Sequence, residues 1–158
     1  MGKRMLTKED IILLFLEDSN KLILLLISEE VFPEFKSEEI KELMYSLGNI
    51  EIAYYYNIKY DRKLHPLAIK TVCSFGAHSA YWYAMEKGHH EDLRQKVSEG
   101  YSPGLAYKYA RYVEKKPHPI TRKGVKYGYD KASSSNWEKR YTAFEKQYLM
   151  NQMRKKKE

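Results

Sequence analysis

Residues 37–48 have the sequence SEEIKELMYSLG, which contains the clearest helix signal in the chain. Ser37 suits the N-cap position, and the two glutamates after it suit the positive end of the helix dipole. Four apolar side chains follow at positions i, i+3, i+4 and i+7: Ile40, Leu43, Met44 and Leu47. Gly48 then closes the segment as a C′ residue. The stretch predicts an amphipathic helix with one face in a core.

Two apolar runs precede this helix. Residues 11–16 and 22–27 are entirely apolar, and Thr7 with Asp10 supplies a capping box before the first run. The first run predicts a helix that is buried on most sides, and residues 18–20 leave open whether there is one helix or two. Both runs are far shorter than the ~20 apolar residues of a membrane-spanning helix, and polar residues separate them. We therefore expect core helices and no membrane segment.

The segment from Ile50 to Tyr60 fits two structures. Its side chains alternate as in a strand, but they also fit a helix, and a single strand would have nothing to pair with. Helix is therefore the favoured interpretation. From His65 onward, prolines and glycines separate short helices, and Ser102 followed by Pro103 is a strong helix-start signal.

The C-terminal third is predicted to contain a loop and a final helix. Residues 116–134 hold two prolines, two glycines and many cations, which indicates an exposed loop or a short hairpin. Ser135, with Glu138 three residues later, would open the last helix. An aromatic stripe follows at helical spacing: Trp137, Tyr141, Phe144 and Tyr148. The expected fold is all-α, a compact bundle of about six helices with a basic loop and a basic C-terminal helix.

Charge is distributed unevenly along the 158 residues. Residues 1–60 have a net charge of −4, residues 61–158 have one of +11, and residues 116–158 alone have one of +8. We therefore expect an apolar, acidic N-terminal helical part over 1–60 and a basic, tyrosine-rich helical part over 61–158, both within one compact domain. The excess of cations in the second part favours an anionic partner.

Cysteine usage indicates a reducing compartment. Cys73 is the only cysteine, so no intramolecular disulfide can form. A lone cysteine between Val72 and Ser74 fits a small buried apolar residue better than a nucleophile. A chain of this length can bury a core without disulfide or metal, and we expect a cytoplasmic location.

A short repeat occurs in the second half of the chain. Residues 80–84, AYWYA, recur as AYKYA at residues 106–110, a displacement of 26 positions. Alanines on one side allow two helices to approach closely while tyrosine rings fill the gaps. The repeat therefore predicts a helical hairpin with close contacts at its alanines.

Residues 97–113, VSEGYSPGLAYKYARYV, carry a resemblance to a known class of proteins. The segment resembles short helical repeats of uncharacterised proteins of tailed bacteriophages, in which a proline start precedes an alanine–tyrosine–any–tyrosine–alanine helix. The likeness covers roughly residues 77–116. The glycine–arginine–tryptophan–proline continuation usual in those repeats is absent, and residues 114–117, EKKP, stand in its place. The resemblance implies a viral origin, hence the cytoplasm of a host cell, and no particular activity.

The basic, aromatic C-terminal part supplies the candidate site. Its cations would neutralise phosphates while its exposed rings stack on bases. The predicted nucleic-acid contacts are Arg122, Lys123, Lys126, Tyr127, Tyr129, Lys131, Lys139 and Arg140. The alternative interpretation is a solvated helix face whose aromatics point into the core. Helical spacing favours the core for Trp137, Tyr141 and Phe144, whereas Tyr127 and Tyr129 lie in the predicted loop and are better candidates for exposure.

Other chemistry has weaker support in the sequence. The run His89, His90, Glu91 and Asp92 is the densest set of potential metal ligands, but neighbouring helical positions diverge by ~100° and no HExxH or CxxC spacing occurs. We therefore expect no metal site. Phosphate-binding loops and the GxSxG nucleophile elbow are also missing, so no cofactor and no catalytic residue is predicted.

These observations lead to three function hypotheses. The first is a non-enzymatic accessory protein, viral if the resemblance holds, that binds nucleic acid through its basic C-terminal surface. The second is a protein-interaction factor or inhibitor that docks on an acidic surface of a host protein. The third, a small hydrolase that uses the histidines, has the least support.

Overall fold

Local start and stop signals determine most of the helices. The computed structural model describes residues 4–127 and 131–158, and over these residues the chain forms ten α-helices and no strand. The helices are α1 (Lys8–Glu17), α2 (Ser19–Ile27), α3 (Glu38–Ser46), α4 (Ile50–Tyr60), α5 (Pro66–Phe75), α6 (Ala77–Lys87), α7 (Glu91–Glu99), α8 (Pro103–Lys108), α9 (Pro119–Lys126) and α10 (Lys131–Lys157). A 3-10 turn, Pro33–Lys36, precedes α3, and a π-helical segment, Tyr109–Glu114, continues α8.

The all-α prediction is confirmed, but the expected number of about six helices is wrong. Caps and glycines end the helices after short lengths. Asp18, for example, terminates α1 and caps α2, since its carboxylate accepts a hydrogen bond from the Asn20 backbone N–H at 3.0 Å. The question left open by residues 18–20 is thereby answered in favour of two helices.

Capping motifs fall where the sequence places them. Thr7 and Asp10 form a complete capping box, with the Thr7 N–H donating to Asp10 Oδ2 at 2.9 Å. Ser37 caps α3, and Gly48 follows that helix with a positive φ of 75°, a conformation that favours glycine. Residues 50–60 form α4 rather than a strand, as favoured, with the Asn49 side chain as the N-cap.

The chain divides into two compact units, residues 1–71 and residues 72–158. The N-terminal unit has a mainly aliphatic core that also contains two aromatic rings, and its buried residues are Ile11, Leu22, Leu26, Phe35, Ile40, Leu43, Met44, Ile52 and Tyr56. Helices α1 and α2 pack on each other and against α3 and α4. Each also keeps apolar side chains exposed, namely Leu13, Leu16, Leu24 and Ile27. The expectation that α1 is buried on most sides is therefore wrong, because neighbouring helices cover only part of it.

The C-terminal unit is built around the repeat. All four alanines, Ala80, Ala84, Ala106 and Ala110, are buried, and so are the tyrosines at Tyr81, Tyr83, Tyr107 and Tyr109. Only the middle position of each copy is exposed, Trp82 in the first and Lys108 in the second. Burial of the four alanines is compatible with the close helix contacts expected at them, and the helical hairpin itself stays a prediction.

The predicted loop over residues 116–134 is wrong for most of its length. Pro119–Lys126 forms helix α9, because His118 caps it and Pro119 occupies its first position. Thr121, Gly124 and Val125 form a narrow buried face. Gly124 is needed there, since a Cβ at this position would lie 2.9 Å from the Ser98 carbonyl oxygen. Small side chains thus suffice for burial where helices approach closely.

The last helix also differs from its prediction. Helix α10 begins at Lys131 rather than at Ser135 and remains helical to Lys157. Its contacts are with α8 and α9. Tyr141 is fully buried and Trp137 and Phe144 are half-buried around it, which confirms that these three rings belong to the core.

Candidate nucleic-acid interface

Helix α9 presents two of the predicted lysines to solvent. Its start is fixed locally, because the His118 Nδ1 accepts a hydrogen bond from the Ile120 backbone N–H at 3.1 Å. With the Thr121 and Val125 side of the helix buried, Lys123 and Lys126 are left exposed. These two lysines therefore lie on a short helix, not in the exposed loop or short hairpin that the sequence predicted.

A groove of about 620 Å³ lies between α7 and α9. Its lining includes Lys96, Tyr101, Lys123 and Tyr127, and we call it the lysine–tyrosine groove. Tyr101 and Tyr127 are 67% and 62% exposed. A base could stack on a ring with this degree of exposure.

The lysine–tyrosine groove has an excess of positive charge. Within the described part of the chain, neither Lys96 nor Lys123 is ion-paired, and the same holds for Lys126, whose ammonium lies 5.5 Å from the centre of the Tyr127 ring. Glu99 is the acidic residue that lines the groove, and its carboxylate accepts a hydrogen bond from the Gln95 amide at 2.5 Å. The cations there remain available to an anionic ligand.

Arg122 has a different environment from its neighbours. Its guanidinium lies 3.4 Å from the Glu145 carboxylate, donates to the Thr142 hydroxyl at 3.3 Å and covers the Tyr141 ring at 5.4 Å. These contacts join α9 to α10. Arg122 is thus engaged within the fold, although the sequence grouped it with the phosphate contacts.

Lys139 and Arg140 lie on the exposed side of α10. The Arg140 guanidinium is 4.7 Å from the centre of the Trp137 ring, a cation–π distance. Arg140 also lines a second groove, of about 420 Å³, together with Arg111, Tyr112 and Gln147. We call this the arginine groove.

Two predicted contacts cannot be placed. Tyr129 lies outside the described residues, and so does the side chain of Lys131, whose backbone begins α10. Of the described predicted residues, Lys123 and Tyr127 line the lysine–tyrosine groove, Arg140 lines the arginine groove and Arg122 is ion-paired. Lys126 and Lys139 are exposed but line neither groove.

Sequence reasoning missed most of the residues that line these grooves, including the cations Lys96 and Arg111 and the exposed tyrosines Tyr101 and Tyr112. Lys96 lies in the last turn of α7 and Tyr101 follows that helix, while Arg111 and Tyr112 belong to the π-helical segment. All four precede residue 116, where the strongest excess of positive charge begins. A signal existed for Tyr101, because a tyrosine directly after the terminal Gly100 of a helix lies in a turn, where side chains are commonly exposed.

The histidines serve mainly as helix caps. His90 Nδ1 accepts a hydrogen bond from the Asp92 N–H at 3.1 Å, as His118 does at α9 and His65 does from Leu67 at 3.2 Å. His89 instead lies 2.9 Å from the Tyr109 hydroxyl, and burial lowers its pKa. In the described ranges no three histidine, cysteine or acidic side chains are grouped as metal ligands.

Cys73 has the environment of a structural residue. It is half-buried, and its thiol lies 3.7 Å from the Asp92 carbonyl oxygen. Burial raises the pKa of this thiol. Since the thiolate is the nucleophile, this environment disfavours reactivity.

No described helix is both long enough and apolar enough to cross a membrane. Comparison with protein-family models, curated proteins and solved structures found no match for this chain.

Proposed function

We propose that this protein is a non-enzymatic accessory protein that binds nucleic acid through the basic surface of its C-terminal unit. The observation that carries the proposal is the lysine–tyrosine groove, where lysines that have no ion-pair partner among the described residues lie beside two exposed tyrosine rings. Lysines attract phosphates and release their counterions, and rings stack on unpaired bases. Because residues 77–116 resemble repeats of phage proteins, we propose that this accessory protein is viral.

Charge over the whole unit supports the same proposal. Residues 72–158 carry 18 basic and 9 acidic side chains, a net charge of +9. A field of this sign would steer a polyanion toward the unit and would be screened by salt. Lys123, Lys126, Lys139 and Arg140 are exposed contributors to it.

The test is a titration of labelled single-stranded and duplex oligonucleotides at several salt concentrations. Replacing Lys123 and Lys126 together by glutamine should weaken binding and flatten the log–log salt slope by about 0.7–0.9 for each phosphate that is no longer neutralised. The matched control is Lys21→Gln with Lys36→Gln, which removes two exposed lysines from the N-terminal unit. The proposal would be overturned if the parent protein does not bind at low salt. It would also be overturned if the two double variants bind equally well.

A separate substitution tests whether bases stack on the tyrosine rings. Tyr127→Ala should weaken binding to single strands by about 1–3 kcal/mol and binding to duplexes by less, because stacking needs an unpaired base. Tyr129→Ala tests the remaining predicted ring in the same assay. A decrease that is equal for single strands and duplexes would argue against stacking.

A second candidate function is a protein-interaction factor or inhibitor that docks on an acidic surface of a host protein. The observation in its favour is the end of α10, where Leu149, Met150 and Met153 are exposed beside Arg154 and Lys157. A helix that combines apolar and cationic side chains can lie in an apolar groove with an acidic rim. Replacing Leu149 and Met153 by serine should abolish such docking and leave oligonucleotide binding unchanged.

A further inference from the structure

The arginine groove brings two guanidinium groups together from separate elements. Arg111 comes from the π-helical segment and Arg140 from α10, and both line the same groove of about 420 Å³. The volume is within the range of small-ligand sites in proteins, roughly 300–1,000 Å³.

Neither guanidinium is neutralised by a carboxylate in the described part of the chain. Arg111 donates to the Tyr107 hydroxyl and lies over the rings of Tyr107 and Tyr112, at 5.8 and 5.6 Å. Arg140 lies over Trp137 at 4.7 Å. The aromatic contacts position the two cations without cancelling their charge. This differs from Arg94 and Arg122, which pair with Glu114 and Glu145.

Uncharged groups in the arginine groove suit a planar ligand. The Tyr112 ring is 49% exposed, and half-buried Phe144 forms part of the same lining. Gln147 adds an exposed amide, a group that can donate and accept hydrogen bonds at a base edge. Cations, an exposed ring and an amide thus meet in one groove.

The π-helical segment that carries Arg111 and Tyr112 is anchored at both ends. At one end the buried Tyr109 hydroxyl donates to the His90 carbonyl oxygen at 3.1 Å. At the other end, Arg94 and Glu114 form an ion pair at 3.2 Å with both side chains almost fully buried. Short π-helical segments occur frequently at functional sites. The anchoring holds the outward-facing residues in a fixed arrangement.

From these observations we infer that the arginine groove is a binding site for one unpaired nucleotide of a single strand. Arg111 and Arg140 bind its phosphate, since guanidinium groups match phosphate oxygens in geometry and charge. The base stacks on Tyr112, and the Gln147 amide meets its edge. The inference rests on the proposed function and adds to it a nucleotide-binding site that is separate from the lysine–tyrosine groove.

The experiment compares variants of the full chain against a labelled 12-nucleotide single strand and the duplex of the same sequence. The double variant Arg111→Gln, Arg140→Gln should bind the single strand about tenfold more weakly, while its duplex binding changes no more than that of the control. The control is Lys155→Gln with Lys156→Gln, which removes two exposed charges from the end of α10. Tyr112→Ala should cost about fivefold or more for the single strand, and Tyr112→Phe should restore the binding.

The outcomes separate this inference from the proposed function. If the parent binds and the Lys123, Lys126 variant weakens, but the arginine variant equals its control, the groove inference is overturned and the proposed function stands. If the parent binds neither oligonucleotide at low salt, both are overturned. If the arginine variant loses affinity for a labelled polyglutamate peptide but not for the single strand, the groove is a protein-docking site and the inference is again overturned. Circular dichroism of each variant confirms that it is folded.

Discussion

The two units bury different kinds of side chain. Residues 1–71 contain 22 isoleucine, leucine and valine residues, and residues 72–158 contain 8. Aromatic residues have the opposite distribution, with 8 in the first unit and 14 in the second. Net charge differs as well, at −2 and +9. Both units are helical, so the helical fold alone does not require one kind of core.

The difference has consequences for what each core requires. An aliphatic side chain needs only to be covered, whereas a buried tyrosine also needs a partner for its hydroxyl. In the C-terminal unit, the Tyr141 hydroxyl contacts His118 and Thr121, and the Tyr109 hydroxyl contacts His89 and His90. The polar network of this unit is therefore part of its core. Because this unit buries five tyrosines among the described residues and the N-terminal unit buries one, we expect its stability to depend more on tyrosine hydroxyl groups.

The largest effect is expected at Glu114. Its side chain is fully buried and pairs with Arg94, which is 9% exposed. Glu114→Ala would leave a buried guanidinium uncompensated and should lower the free energy of unfolding by about 3–5 kcal/mol. Urea denaturation followed by circular dichroism measures this decrease.

A double variant supplies the control for that prediction. Arg94→Met with Glu114→Leu removes both charges and keeps apolar volume, so it should recover most of the stability. If the double variant is as unstable as Glu114→Ala, packing rather than the unpaired charge causes the destabilisation.

The next largest effect concerns the repeat. Ala110 is fully buried at a helix contact, and Ala110→Leu should overpack it and cost about 1–3 kcal/mol. Lys108→Leu, at the exposed middle position of the same copy, should change stability by about 0.5 kcal/mol or less. Thermal melting of the two variants compares them directly, and equal melting temperatures would mean that the alanines do not mark close contacts.

A smaller effect is expected from removing one buried hydroxyl. Tyr141→Phe would leave the His118 N–H without its partner at 2.9 Å, while Thr121 keeps its own hydrogen bond to the His118 carbonyl oxygen. The expected cost is about 1–2 kcal/mol. Tyr56→Phe in the N-terminal unit removes a single hydrogen bond, to the Phe35 carbonyl oxygen, and should cost about 1 kcal/mol. A larger cost at Tyr56 would contradict the contrast between the two cores.

The smallest predicted effect is a dependence on pH that the two units share. Burial lowers the pKa of His65 in one unit and of His89 in the other, below the ordinary value of 6.5. Below about pH 6.5 the unfolded chain therefore binds more protons at these histidines than the folded chain does. The free energy of unfolding is highest above about pH 6.5 and decreases as the pH falls below that value. Urea midpoints at pH 7 and pH 5.5 should show this decrease.

Substitution of both histidines tests whether they cause this dependence of stability on pH. His65→Asn retains an acceptor for the Leu67 N–H, and His89→Gln removes the second ring. The double variant should lose less stability than the parent between the two pH values. An unchanged difference would assign the dependence to other groups.

The fold was more predictable than the candidate site. Caps such as Thr7 with Asp10 and Ser37 act over three residues, so a short window of sequence suffices to place them. Helix α9 was missed because its buried face consists of small side chains, and a window of sequence cannot show that Ser98 lies against Gly124. The start of α10 was missed for a related reason: Ser135 has the residue type of a cap but lies inside a longer helix.

By itself, the sequence determined that the chain is helical, where most helices begin, and that positive charge collects in its second part. These properties depend on neighbouring residues or on composition. Only the tertiary structure decided which cations remain without an acidic partner. Arg122 is paired with Glu145, 23 positions away, whereas Arg111 and Arg140 meet in one groove from different helices. Ion pairing and exposure depend on residues that are distant along the chain, and only folding brings these together.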